Sequence, residues 1–249
     1  MMLAMRLALP LVAIAQFGVP ILPQLGLGES IGARAVGEGI PPELPLGPFF
    51  SIWGLIFLAY LGFALFALLR PTPMVKALSM PLLLAGLGNC VWMLSAQTLG
   101  LTLLDFVLLL PILAGSWWAA YRLDVAFDGI GEPLWLMGLL VGLLAGWLSV
   151  AVSISVPEIV RAGLGRGATD QVWHSLWLAL VPAALLAWTF ASAISRNRWF
   201  FVALVWGLLG VALNNWLRMD QHFLAIATGI VGVIVVSRRV RFGARGRHA

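Results

Sequence analysis

Asn89 and Trp92 stand three residues apart in an apolar run, so on a helix they share one face, an amide beside an indole. In neighbouring apolar runs Trp53 falls at the depth of Trp92, the acid Asp105 near the outer end and Trp147 nearer mid-membrane. Indole rings and a neutral amide can stack against a flat guest and hydrogen-bond to it, which is binding chemistry. An ionisable residue in a spanning segment is a functional candidate by default, which brings Asp105 into the set. Two structural readings stand beside these: Asn89 as an interhelical hydrogen bond, and Asp105 as the wet end of its helix. Catalysis lacks its parts. The chain shows no Ser-His-Asp set, no carboxylate pair at helical spacing and no glycine-rich phosphate loop, so no catalytic residue is assigned. His174 has no histidine or carboxylate three or four residues after it, and Cys90 is the single cysteine. Neither a metal site nor a disulfide framework is therefore expected, and no cofactor is required.

The elements that must position these residues follow from hydropathy. With 61% hydrophobic and only 10% charged residues and a mean hydropathy of +1.00, the chain reads as an all-α polytopic membrane protein. A spanning helix needs about 20 apolar residues. Cutting at charges, prolines and glycine clusters predicts about eight helices, at 6–24, 48–69, 76–98, 101–122, 133–157, 171–194, 198–216 and 221–237. With the N-terminus in the cytoplasm, eleven Lys and Arg residues fall inside. Only Arg34, Arg161, Arg166 and Arg218 fall outside. That asymmetry places both termini in the cytoplasm, and an even helix number agrees. The same rule explains the basic tail 238–249 and the net charge of +5 as topology, so the expected partner is the lipid bilayer and no nucleic acid is expected. The first segment also resembles a secretory signal at Ala13-Ile14-Ala15, but its apolar stretch continues to Leu22 and predicts a retained helix.

Depth sorts eleven of the twelve tryptophans, and Trp177 stands with Trp173 and His174 where the sixth helix opens. Trp117, Trp118, Trp135, Trp173, Trp199 and Trp216 lie near predicted helix ends, where an interfacial belt is expected. Trp53, Trp92, Trp147, Trp188 and Trp206 lie well inside apolar runs, so some of them should face something other than lipid. Trp53, Asn89, Trp92, Asp105 and Trp147 share the outer half of the membrane, beneath a long extracytoplasmic loop at 25–47 that carries Glu29, Glu38 and Glu43. Gly207 and Gly210 are read as close-packing positions, and small-residue faces would also permit a homodimer.

Four motifs carry a resemblance. Phe49-Phe50-Ser51-Ile52-Trp53 follows a proline-rich loop, and Asn89-Cys90-Val91-Trp92 comes next. Asp105 opens the following helix, and Gly146-Trp147-Leu148-Ser149-Val150-Ala151 completes the series. In order and helix placement they resemble the tryptophan-rich sensory protein family, also called the translocator protein or peripheral benzodiazepine receptor family. The resemblance covers about residues 10–157 and implies a five-helix bundle there, followed by three additional helices at 158–237. It implies a pocket closed by the first loop, with a tetrapyrrole such as a porphyrin, or another flat hydrophobic small molecule, held by Phe49, Trp53, Asn89, Trp92, Asp105 and Trp147. Some family members promote light-dependent porphyrin breakdown. This chain lacks the family's Trp-Tyr pair in the first loop and has Leu143-Leu144 where the family has Pro-Tyr, so the implied role is sensing or binding. A secondary transporter and a membrane scaffold are the alternatives.

Overall fold

The computed structural model describes residues 2–31, 39–125 and 134–243. Arg34, Glu38 and the side chains of the tail arginines lie outside the described residues. Eight α-helices account for the regular structure among them: α1 Met2–Gly18, α2 Ile52–Leu69, α3 Pro73–Thr98, α4 Thr102–Val125, α5 Leu134–Leu164, α6 Val172–Thr189, α7 Arg198–Leu217 and α8 His222–Gly243. Helical 3-10 turns follow α1 (Val19–Leu25) and precede α2 (Gly47–Ser51), and a π turn, Phe190–Ile194, extends α6. Seven of these segments are long and apolar enough to cross a membrane, and α8 adds a shorter apolar stretch, His222–Ser237. The all-α polytopic expectation holds, and the chain is an integral, multi-pass membrane protein.

Local chemistry sets the helix ends. Thr72 accepts from the Val75 amide at 3.2 Å with Pro73 in the first turn, so α3 opens on a side-chain cap followed by proline. The α3–α4 turn needs its glycine: Gly100 has φ +58°, and the Leu99 and Gly100 amides both return to the Ser95 carbonyl. Asn197 caps α7 by accepting from the Trp199 amide, and its own amide reaches the Gly138 carbonyl on α5 at 2.8 Å. Arg6 on α1 donates to the Ala67 carbonyl at 2.7 Å and to that of Leu68, covering the orphan carbonyls at the end of α2.

Helix α5 is the axis of the molecule. Every residue from Leu140 to Val150 is buried, as a helix apolar on all sides should be when other helices surround it. Its neighbours are α2 and α4 on one flank and α6 and α7 on the other. Beyond them, α1 packs on α2 and α3, and α8 on α6 and α7. Close approach depends on glycine. A Cβ on Gly146 would lie 2.3 Å from the Phe200 carbonyl oxygen, and one on Gly142 would lie 2.6 Å from Asn197. With lipid outside, such helices are held by van der Waals contact and so gain from small residues at crossings. Gly207 follows the same logic against Val150 at 2.8 Å. α1 is part of this packing, with Leu9, Val12, Ala13 and Gln16 all buried.

Candidate functional site

Three of the tryptophans expected to act together do meet. Trp53, at the start of α2, stacks on Trp92 of α3, with ring centroids 6.0 Å apart and planes 28° from parallel. Trp147 of α5 turns its ring edge-on to Trp53 at 6.4 Å. Phe57 lies one turn along α2 from Trp53 at 5.5 Å and takes Phe17 of α1 against its own ring at 5.7 Å. Phe50, from the 3-10 turn before α2, meets Trp147 edge-on at 5.6 Å. Stacked and edge-to-face arrangements at these distances are the favourable aromatic geometries. Trp147 is only 1% exposed, so these rings pack against one another with no open space at Trp147.

The polar companions divide. Asn89 lies one turn from Trp92 and is fully buried. Its amide donates to Gln16 Oε1 on α1 at 3.2 Å, while Asn89 Oδ1 and Gln16 Nε2 have no protein partner. One acceptor and one donor are thus left on a buried amide pair beside the rings, and unsatisfied buried polar atoms are costly unless something meets them. Asp105 is placed elsewhere. Its carboxylate accepts from the Ser95 hydroxyl at 2.7 Å, across the α3–α4 turn. Phe49 also departs from the cluster, facing α7 with its ring 4.5 Å from that of Trp206. Of the six residues proposed from sequence, Trp53, Trp92, Trp147 and Asn89 form one neighbourhood, flanked by Asp105 on one side and Phe49 on the other.

Several residues that shape this region carried no role in the sequence reading. Residues 39–51 form a strap fixed across the ends of α5, α6 and α7. Glu43 is 1% exposed. Its carboxylate accepts from Arg161 of α5 at 2.5 Å and from the Ser175 hydroxyl of α6 at 2.9 Å, and Arg161 also donates to Ser175. Burial pushes the Glu43 carboxyl above its ordinary value, against the opposing pull of the Arg161 guanidinium. On α7, Asn214 and Asn215 donate to the carbonyls of Pro41 (3.2 Å) and Pro42 (2.6 Å), and Gly210 accepts from the Leu46 amide at 3.0 Å. Trp206 donates its indole N–H to the Phe49 carbonyl at 2.7 Å. The available signal was faint: one acid within Pro-Pro-Glu-Leu-Pro, and the only basic residue of α5 near its end.

The remaining tryptophans mostly follow depth. Trp118, Trp135, Trp173 and Trp216 are exposed, as belt residues should be. Trp117 differs: it packs on Phe190 at 5.7 Å and its indole nitrogen is buried without a partner. Trp188 is 52% exposed on the outer face of α6, so its depth in the sequence reflects contact with lipid rather than with a guest.

A family model described as TSPO-like protein matches residues 43–239. The chain belongs to the TSPO-like protein family. The matched span begins in the strap at Glu43 and runs into α8, so this TSPO-like protein carries the family pattern across α6, α7 and most of α8 as well as across the tryptophan cluster. Comparison with curated proteins and with solved structures gives no match.

Proposed function

We propose that this TSPO-like protein is a membrane sensor or binding protein that takes a flat, largely apolar ligand of tetrapyrrole type at Trp53, Trp92 and Trp147. The observation that carries the reading is the stacked Trp53–Trp92 pair with Trp147 edge-on. Beside it, the buried Asn89–Gln16 pair offers one unmet acceptor and one unmet donor. A porphyrin suits that combination, since its face stacks on indole and its peripheral carboxyl groups can accept and, when protonated, donate. Phe49 and Asp105 act from the flanks, by seating the strap and fixing the α3–α4 turn. In this reading the site lies in the outer half of the membrane, with both termini in the cytoplasm, and the protein performs no chemistry on its ligand.

Titration of the purified protein with protoporphyrin tests this. Saturable quenching of tryptophan emission is expected, weakened about tenfold or more in affinity by Trp53→Ala and Trp92→Ala, since stacked aromatic contacts contribute about 1 kcal/mol each beyond the area they bury. Trp135→Ala, at a ring 69% exposed, should bind as the parent does. Trp117 is unsuited as a control because of its contact with Phe190. Absence of saturable quenching, or equal loss in all three variants, would remove the binding reading. Substrate counterflow in liposomes would then favour transport.

A further inference from the structure

Trp147 is 1% exposed, so a guest reaches it only if a neighbouring element moves. Phe50 lies edge-on against it and closes the strap, residues 39–51. The hydrogen bonds described for the strap end on α5, α6 and α7: Glu43 with Arg161 and Ser175, Pro41 and Pro42 with Asn214 and Asn215, Leu46 with Gly210, and Phe49 with Trp206. These contacts differ in kind. The α7 tethers are neutral hydrogen bonds, each individually weak, whereas the Glu43–Arg161 pair is a buried charge pair. Taking away one member strands the other as an uncompensated buried charge, which costs more than losing any one neutral tether. The charge pair is therefore the contact whose loss releases the strap.

We propose that Glu43, Arg161 and Ser175 are the catch of a cover over the aromatic site, with α6 and α7 as its anchor. Releasing the catch lifts Phe50 from Trp147 and admits the ligand. The proposal rests on the reading of the tryptophan cluster as the ligand site, and it assigns work to helices that contribute no ring to the Trp53, Trp92 and Trp147 contacts.

Arg161 and Ser175 meet Glu43 directly, and Arg166, Asp170 and His174 line the same crevice between α5 and α6. Glu158 lies one turn before Arg161 on α5, and α7 brings the uncharged Asn214 and Asn215. Because burial raises the Glu43 carboxyl above 4.5, the closed strap holds that proton more tightly than the open one does. Once Arg161 is removed, with no cation left to strand, acid therefore favours closing. The contribution is complete below the ordinary value and is lost as pH rises through the raised one. Removing Arg161 takes away the pull that opposes the rise, and so enlarges the effect.

The experiment uses the full chain in detergent with Arg161→Gln. Two readings are taken: hydrogen exchange of the strap amides, Leu46 above all, and acrylamide quenching of the Trp147 emission, isolated by difference from a Trp147→Phe partner in each background. At pH 7, Arg161→Gln should exchange at Leu46 about tenfold faster or more, in keeping with a local opening made cheaper by over 1.4 kcal/mol, and should expose Trp147 to acrylamide. Glu43→Gln combined with Arg161→Gln should restore both readings. Acidification towards 4.5 should shield Trp147 again in Arg161→Gln and do nothing in the double variant, which separates Glu43 from His174 and Asp170. If Arg161→Gln does not fold, Glu43→Gln alone, which strands the Arg161 guanidinium instead, carries the same expectation for exchange and quenching at pH 7. Unchanged exchange and quenching would overturn the catch. A loosened strap over an unreachable Trp147 would overturn the cover. Because acrylamide needs no ligand site, porphyrin failing to bind the parent would sink the ligand reading and leave the test of the cover intact.

Discussion

At the scale of the residue, depth in an apolar run says where a tryptophan lies along the membrane normal but not which way it faces. Trp147 and Trp188 look alike in the sequence, yet one is 1% and the other 52% exposed. Trp147→Ala should lower stability by about 3–5 kcal/mol, as buried large-to-small changes do, while Trp188→Ala should stay within about 0.5 kcal/mol. Thermal unfolding in one detergent compares them, and equal losses would mean that the two environments are not as different as described. The meeting of Trp53, Asn89, Trp92 and Trp147 was legible because motif order and a three-residue spacing fix helix and face. The Glu43–Arg161 pair was not. Its members are 118 residues apart, and nothing in local spacing links a loop acid to an arginine that a topology rule had already assigned to one side of the membrane.

At the scale of the element, the eight helices and the turn at Gly100 were readable from apolar runs and punctuation, whereas lengths were read poorly where proline was taken as a stop. The fifth helix was expected to end at 157, yet α5 runs through Pro157 to Leu164. Membrane helices tolerate an internal proline because neighbouring helices and Ser or Thr side chains satisfy the backbone around it. That added stretch carries Arg161, so the strap's partner lies on residues that a strict proline rule would have placed in a loop. The α5–α7 crossing allows a sharper comparison. Gly146→Ala would drive its Cβ into the Phe200 carbonyl at 2.3 Å, whereas Gly54 on α2 has nothing within 4 Å of an added Cβ. Overpacking a tight contact costs about 1–3 kcal/mol, and a helical Gly→Ala in open space stabilises by up to about 1 kcal/mol. Opposite shifts in melting temperature are expected, and shifts of the same sign would contradict the crossing.

At the scale of the whole molecule, the contacts define two faces. Arg6 meets the end of α2 at one, and there the Arg196 amide reaches Asp124 at the end of α4. The strap, the α3–α4 turn, Arg161, Ser175 and Asn214 gather at the other, where the Glu29 amide also bonds to the Gln97 carbonyl. The distribution of lysines and arginines predicts that the strap faces away from the cytoplasm. In a Cys90→Ser background, Gly47→Cys should react with an impermeant thiol reagent on intact cells. Pro71→Cys, in the α2–α3 turn, should react only after permeabilisation. The reverse pattern would invert the molecule and place the ligand site in the inner half.

The Trp206 hydrogen bond to the Phe49 carbonyl has an optical consequence. Indole emission responds to whether its N–H is engaged and to how much water surrounds the ring, and Trp206 joins α7 to the last turn before α2 through that single N–H. A strap that lifts breaks the bond and wets a ring already 38% exposed, so the colour of one native chromophore tracks the position of the strap without any attached label.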